Sequence, residues 1–505
     1  MASAVPPSIA VVGAGISGLA AAHRLRVLLG PAARIVVVDR ADRIGGVLRT
    51  VDLAGRPFDV GAEAFLARRP EVPELLAELG LADEVVHPTG ARPTIRAGGR
   101  TVAMPGGTLM GVPTAGAQLG GVLSEAGLAA VAAEPGRPLK WEPGGDAALG
   151  VLLRERFGPE VPARLTDPLL GGVYAGRVDA LGLRATVPAL AAALDAGAPS
   201  LTEAATRAAP PVPAATGGAG GSGSGGSGGP RVSGQAAGPV FGAVRGGYGV
   251  LLDALSAASD AELRLGSTVR ELERRERGWR LVLGPTTAPE ALDVDAVVLA
   301  VPAPAVRKLL AGPVPAAAAA VEGIELASSV VIAFAFRGIA GPGTSGVLVA
   351  ADEPLAIKAA THSSAKWAHV SPDGLVRLRV SLGRFGEAAT LQVDDTELVA
   401  RARADLATLH GITADPVAVH VQRWGGGLPQ YAPGHLDRVA ALEAAVAAAP
   451  GLEVVGAALY GVGVPACVGT ARAAAERLAG VTGTAAGSAA PRGSMEAWPA
   501  STTPS

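Results

Sequence analysis

Apolar runs of β type alternate with helical periodicity at the start of the chain. Ile9 to Val12 leads through a glycine turn into a helix, and a second run, Ile35 to Val38, follows. From about Pro105 to Arg207 the pattern changes to proline-punctuated helical stretches, which predict an inserted helical region. A Pro/Ala segment and then GGAGGSGSGGSGG occupy 208–239; such a composition buries too little apolar surface to offset its ordering entropy, so it predicts a disordered surface loop, a tolerated insertion rather than a hinge. Order resumes at VFGAVRGGYGVLLDAL, where Gly246 and Gly247 precede a helix expected from about Val250. Strands are expected at Leu263 to Leu265, Thr268 to Leu272, Trp279 to Leu283 and Asp295 to Pro302, and again at Ser329 to Phe336 and Val376 to Leu382. The last ordered block, LEVVGAALYGVGVPACVGTARAAAERL, reads as strand, glycine turn and helix, and the Ala/Ser/Gly/Pro-rich tail after Thr482 reads as disordered.

The first turn carries chemistry. Gly13, Gly15 and Gly18 between a strand and a helix are the arrangement that seats a pyrophosphate on a helix N-terminus. Gly13 permits the tight turn, Gly15 the approach of a phosphate, and Gly18 the packing of helix on sheet. Asp39, at the end of the second strand, stands where a carboxylate accepts the adenosine ribose hydroxyls. A second glycine pair in Gly45, Gly46, Arg49 and Thr50 makes a GGxxRT element that a plain nicotinamide enzyme does not need, and it points to a flavin. Its glycines let the backbone run close to a long cofactor, and Arg49 offers positive charge to phosphate.

Composition narrows the rest. A chain of 505 residues can build two or three domains, and its net charge of −2 with no Lys/Arg block argues against nucleic-acid binding. Cys467 is the only cysteine, so an internal disulfide is impossible and a reducing cytoplasm fits. MASAVPPS has no secretory character, and no apolar run of spanning length escapes interruption, which leaves peripheral contact at the inner membrane face open. Neither a Ser/His/Asp order, nor HExxH, nor any metal-ligand spacing is present, so no catalytic side chain and no metal are expected. Lysine is rare, and the abundance of Ala and Gly suggests a GC-rich, actinobacterial genome.

Further motifs give a specific resemblance. FDVGAEAFLARRP (Phe58 to Pro70), MPGGTLMGVPT (Met104 to Thr114), DPLLGGVYAGR (Asp167 to Arg177), VRGGYGVLLDAL, SSAKWAHVSPDG (Ser363 to Gly374), RWGGGLPQYAPGH (Arg423 to His435) and GVGVPACV together resemble the oxygen-dependent porphyrinogen oxidases. These flavoproteins are related to monoamine oxidases and phytoene desaturases, and the similarity runs almost end to end. It implies an α/β protein with a discontinuous Rossmann-like FAD-binding domain (8–104, 240–302 and 422–481), an α/β substrate-binding domain (303–421), a helical insert (105–207), the loop 208–239 and the tail 482–505.

Carried over by position, the resemblance implies FAD contacts at Gly13, Ala14, Gly15, Ile16, Ser17, Gly18, Asp39, Arg40, Gly46, Arg49, Gly61, Ala62, Glu63, Ala64, Val269, Trp424, Val464, Pro465 and Ala466. At Ala466 the family usually carries an acidic residue, so one side-chain contact is lost and the backbone donors remain. A wide apolar cleft with basic groups at its edge would suit a tetrapyrrole disc and its propionates, and Arg68, Arg69, Tyr174 and Lys366 are the candidate substrate residues. The nearest pattern is the Gram-positive type, which oxidises coproporphyrinogen III to coproporphyrin III with dioxygen and releases hydrogen peroxide. Protoporphyrinogen oxidation is the alternative, and a flavin or porphyrin carrier without turnover a remote one. Transient contact with the next haem-pathway enzyme also follows from the resemblance.

Overall fold

The computed structural model describes residues 6–210 and 239–483, with side chains as far as 480. Most of the expected loop (211–238) and the tail from 484 lie outside the described residues. Five parallel strands form the central sheet, in the order Glu262–Arg264, Arg34–Val38, Ser8–Val12, Ala296–Leu299 and Leu452–Val454. The near-continuous apolar runs of the three inner strands, Arg34–Val38, Ser8–Val12 and Ala296–Leu299, are those of strands buried on both faces. Side chains alternate across the sheet: Ile9 and Val11 pack with helices Ile16–Leu29, Tyr248–Ser259 and Val464–Gly483. Ala10 and Val12 pack on the other side, against the antiparallel strands Val269–Arg274, Trp279–Leu283 and Glu290–Val294 and the helices Ala303–Leu310 and His435–Ala447.

The helix expected near Val250 begins two residues earlier, at Tyr248, because the Asp59 carboxylate accepts from the Tyr248 N–H and the Thr50 hydroxyl from the Gly249 N–H. Periodicity alone does not show this cap, since both side chains come from a distant hairpin, Thr50–Asp52 with Pro57–Asp59.

A second, seven-stranded sheet runs in the order Ala418–Pro429, Leu326–Phe336, Val376–Leu382, Ile357–Thr361, Gly346–Val349, Pro93–Ala97 and Arg100–Ala103. Two of its strands come from 93–103, which the sequence pattern grouped with the first cofactor segment. The strand Ala418–Pro429 likewise crosses the expected boundary at 421/422 and ends beside the glycine-rich C-terminal block. The proline-punctuated region forms a hairpin and six short α-helices with a core of their own around Leu149, Leu153, Phe157, Leu190 and Leu201. Inside it the buried Glu134 pairs with Arg156 at 2.7 Å and accepts from Leu201 N and Thr202 N, tying two helices together. No helix among the described residues is long and apolar enough to cross a membrane.

Candidate cofactor and substrate site

The glycine turn lies at the C-terminal end of the first strand, where the sheet changes direction of growth and ligands bind in open α/β sheets. Gly13 has φ +110°, and a Cβ there would lie 2.4 Å from the Ala300 carbonyl oxygen. At Gly18 a Cβ would lie 1.8 Å from the Gly13 carbonyl oxygen, so neither position accepts a side chain. Gly15 differs, because a Cβ would meet only Gly46 Cα, at 3.9 Å. As N-cap of helix Ile16–Leu29, Gly15 offers no capping side chain, and no acidic residue stands in the first turn. The first N–H groups therefore face a space that a phosphate fits.

Asp39 is half-buried, with Oδ2 accepting from Ala14 N at 2.7 Å and Oδ1 from Ala41 N at 2.8 Å. Each oxygen keeps a second lone pair for a hydroxyl. Arg40 is exposed beside it. The turn before Val269 reaches the same place, since Gly266 N donates to Ala41 O and Ser267 N to Asp39 O. Gly46 backs onto Gly15, and Gly45 N donates to Ala14 O at 2.8 Å. The guanidinium that wraps this loop belongs to Arg43, which donates to the carbonyls of Ile44, Gly46 and Leu48. Arg49 points away, to Gln422 Oε1 at 2.9 Å.

Further along the cleft the chain gives Gly61, Trp424 and the last helix. A Cβ on Gly61 would lie 2.3 Å from Val47 O and 3.4 Å from the Trp424 ring, whose indole N–H donates to Val60 O at 3.0 Å. Ala62 is exposed and Ala64 half-buried. Val464, Pro465 and Ala466 form the first turn of Val464–Gly483, again with no acidic residue there. That helix packs on Ile16–Leu29, which brings the two helix N-termini to one cleft. Cys467 is buried beside Ser17, and burial pushes its thiol up to about 11, so it is packing rather than a nucleophile.

The candidate substrate residues are dispersed. Arg68 is exposed, and Arg69 is paired with Glu71. Lys366 is held by Glu63 at 2.7 Å, with Arg379 on the other carboxylate oxygen at 3.4 Å. Burial raises the Glu63 pKa, but Arg379 and Lys366 outweigh it and hold the group at about 2. Nearby Asp59 has too little opposing charge and is pushed by burial up to about 6. Tyr174 is buried against Tyr431, with ring centroids 5.3 Å apart, and its carbonyl accepts from Gln430 Nε2. Tyr431 in turn stacks on His435 at 3.8 Å and donates to Ala457 O. His435 is a structural histidine: burial lowers it to about 4 and its Nε2 meets Leu459 O.

A cavity of about 400 Å³ lies behind Glu63, lined by Phe58, Asp59, Arg245, Gly247, Trp367 and His369 among others. Glu63 is the sole sequence-predicted residue on its wall. The sequence pattern missed Arg43, Arg379 and Asp59, whose partners are all far away or are backbone groups. The GGxxRT element carried one usable signal: its Thr50 donates to Asp59 at 2.5 Å.

The sequence profile described as flavin containing amine oxidoreductase matches residues 16–479. The chain belongs to this family. The chain is 46% identical over 472 residues to a coproporphyrinogen III oxidase of Mycobacterium leprae, covering 93% of this chain and 98% of that one. It is 47% identical over 467 residues to the coproporphyrinogen III oxidase of Mycobacterium bovis, covering 92% and 96%. A crystal structure from Exiguobacterium, of a protein provisionally named protoporphyrinogen oxidase, superposes with a TM-score of 0.76 at 28% identity, over 94% of this chain and 98% of that one. The fold is that of the flavin amine oxidases, and the cofactor is FAD. The uncapped helix at Gly15, the Cβ-excluding glycines and the free lone pairs of Asp39 fit its ADP half.

Proposed function

We propose that this protein oxidises coproporphyrinogen III to coproporphyrin III, with dioxygen as final acceptor and hydrogen peroxide as product. The observation that carries this reading is the 46% identity, over nearly the whole of both chains, to a coproporphyrinogen III oxidase. The substrate loses six hydrogens in three two-electron rounds while three dioxygen molecules become three of peroxide. FAD, when bound, supplies the two-electron acceptor that dioxygen renews.

The chain's own residues bind, orient and polarise. Gly13, Gly15 and Gly18, with Ala14, Ile16 and Ser17, would admit the pyrophosphate; Asp39 would accept the ribose hydroxyls; Gly46, Gly61 to Ala64 and Val269 would hold the remainder of the cofactor. Trp424 forms a wall at the ring end, and the N-terminus of Val464–Gly483 stabilises negative charge there. Tyr174, Gln430 and Tyr431 form a buried, mostly apolar wall next to that end, suited to a tetrapyrrole disc. A product that joins a flat apolar macrocycle to four ionised propionates stacks with itself in water, which favours handover to the next haem-pathway enzyme in the cytoplasm, at or near the inner membrane face.

Side-by-side initial rates on coproporphyrinogen III and protoporphyrinogen IX, with porphyrin fluorescence and peroxide both recorded, test the reading. The expected result is faster turnover of coproporphyrinogen with three peroxides per porphyrin. Faster protoporphyrinogen turnover would overturn the substrate, and binding without peroxide would make the chain a carrier.

A further inference from the structure

One buried and one half-buried cation stand where the helical region meets the seven-stranded sheet, and neither has a full set of partners among the described residues. Lys358, on strand Ile357–Thr361, is 7% exposed, and its ammonium has a single acceptor among the described residues, Gly383 O at 2.8 Å. Arg384 follows strand Val376–Leu382, and its side chain is 12% exposed. Its guanidinium has one charged partner among the described residues, Asp167, and at 3.8 Å that contact is too long for a hydrogen bond.

The acceptors around them are also incomplete. Asp167 opens helix Asp167–Tyr174 directly after a π-helical turn at Pro162–Thr166, a distortion frequent at functional sites. Its Oδ1 accepts from Val178 N, while its buried Oδ2 has no hydrogen-bond partner among the described residues. Thr166 Oγ1 and Gln430 Oε1 are buried and unpartnered as well. Gly171 and Gly176 bring these groups together: a Cβ on Gly171 would lie 3.4 Å from Asp167 Oδ2, and one on Gly176 2.6 Å from Gln430 Oε1.

Buried polar groups are normally paired; of these orphans the Thr166 hydroxyl can donate to an anion, whereas Asp167 Oδ2 and Gln430 Oε1 are acceptors, so the two cations carry the assignment. Lys358 and Arg384 are two positive groups against one buried carboxylate, so the cluster lacks one negative charge. Arg177 and Glu387, more exposed at the edge of the same region, pair with each other and leave the balance unchanged. Gln430 also connects the cluster to the wall beside the last helix, because its amide donates to Tyr174 O and its neighbour Tyr431 donates to Ala457 O.

We propose that Arg384 and Lys358 form a carboxylate subsite that takes one propionate of the tetrapyrrole. This rests on the proposed function and names a part of its specificity. A propionate bound by Arg384 receives the paired N–H donors that Asp167 does not use, and Lys358 supplies the second charge. The preference for a substrate with four propionates over one with two vinyl groups would then be set partly here, because a vinyl group placed in the subsite leaves both cations unpaired.

The test is binding to the FAD-loaded protein, compared for coproporphyrin III and its tetramethyl ester, which keeps the ring and lacks the carboxylates. Arg384→Met should weaken binding of the free acid by about 10- to 100-fold and that of the ester by less than about twofold. Arg384→Lys should recover part of the loss. Where Arg384→Met does not retain flavin, Lys358→Met provides the same comparison, with a loss of similar sign. Equal weakening of acid and ester would assign the pair a structural role and overturn the subsite, as would no weakening of either. Failure of the unaltered protein to oxidise any porphyrinogen is a different result: it would sink the proposed function.

Discussion

At the scale of single residues, the cofactor cleft is defined as much by atoms it excludes as by those it contains. Gly18→Ala would set a methyl group 1.8 Å from the Gly13 carbonyl oxygen, a backbone atom that cannot move without unseating the turn. The variant should be purified with little or no flavin, read from the ratio of visible to protein absorbance, while Gly15→Ala, whose Cβ meets open space, should keep most of its backbone geometry. Glu63 is the charged counterpart. Its carboxylate pairs with Lys366 and Arg379, and Glu63→Gln leaves both with no negative partner there, at a cost of about 3 kcal/mol. Because the folded-state pKa lies near 2, below the ordinary carboxylate value, the contribution is complete above pH 4.5 and is lost as pH falls towards 2. Denaturant titrations should therefore show the gap between wild type and Glu63→Gln narrowing from pH 5 to pH 3; a constant gap would mean the ion pairs do not hold in solution.

At the scale of elements, short caps from distant segments settle where helices begin. Thr50 bridges Asp59 and the N-terminus of Tyr248–Ser259, so Thr50→Ala should cost about 1 kcal/mol, measured as a shift in denaturation midpoint with unchanged slope. The same hydroxyl lies in the GGxxRT element, which joins cofactor loop and helix cap in one residue. The helix Asp395–His410 ends against another element through rings: His410 Nε2 meets His362 Nε2 at 3.0 Å, and His362 Nδ1 meets Thr344 O. Burial holds His410 down at about 4, so folding keeps it neutral where the unfolded chain protonates. Stability contributed by this pair is present above pH 6.5 and lost as pH falls towards 4. Thermal melts of His410→Leu should vary less between those limits than those of the wild type.

At the scale of the whole molecule, the hairpin Thr50–Asp52 with Pro57–Asp59 is tied at both of its ends to strand Ala418–Pro429 of the seven-stranded sheet. Arg49 reaches Gln422, and the Trp424 indole reaches Val60 O. Trp424→Phe keeps most of the ring packing and removes that hydrogen bond, so it should cost about 1 kcal/mol in the melting of the holoprotein with flavin still bound; loss of flavin would instead assign the ring a direct hold on the cofactor. The inner strands of the parallel sheet and its glycine turns were legible in the sequence, because continuous apolar runs and obligatory glycines are local signals. The seven-stranded sheet was legible only in part, since the pairing of 93–103 with Gly346–Val349 depends on contacts some 250 residues apart. The basic groups resisted for the same reason. Lys366 stands out by the rarity of lysine, yet whether it meets a ligand or Glu63 is decided by where two remote segments fold; Lys358, equally rare, passed unnoticed inside an apolar strand.

The sheet that carries the glycine turn is closed by Leu452–Val454, and the helix that walls the reactive end of the cleft starts at Val464. A nascent chain can thus present its phosphate-binding turn early in synthesis, but it lacks the surface on which electrons are handled until its final segment has left the ribosome. A chain cut short before Leu452 would lose an edge strand of the central sheet and the helix packed on Ile16–Leu29, and with them much of the core that holds the phosphate-binding turn in place.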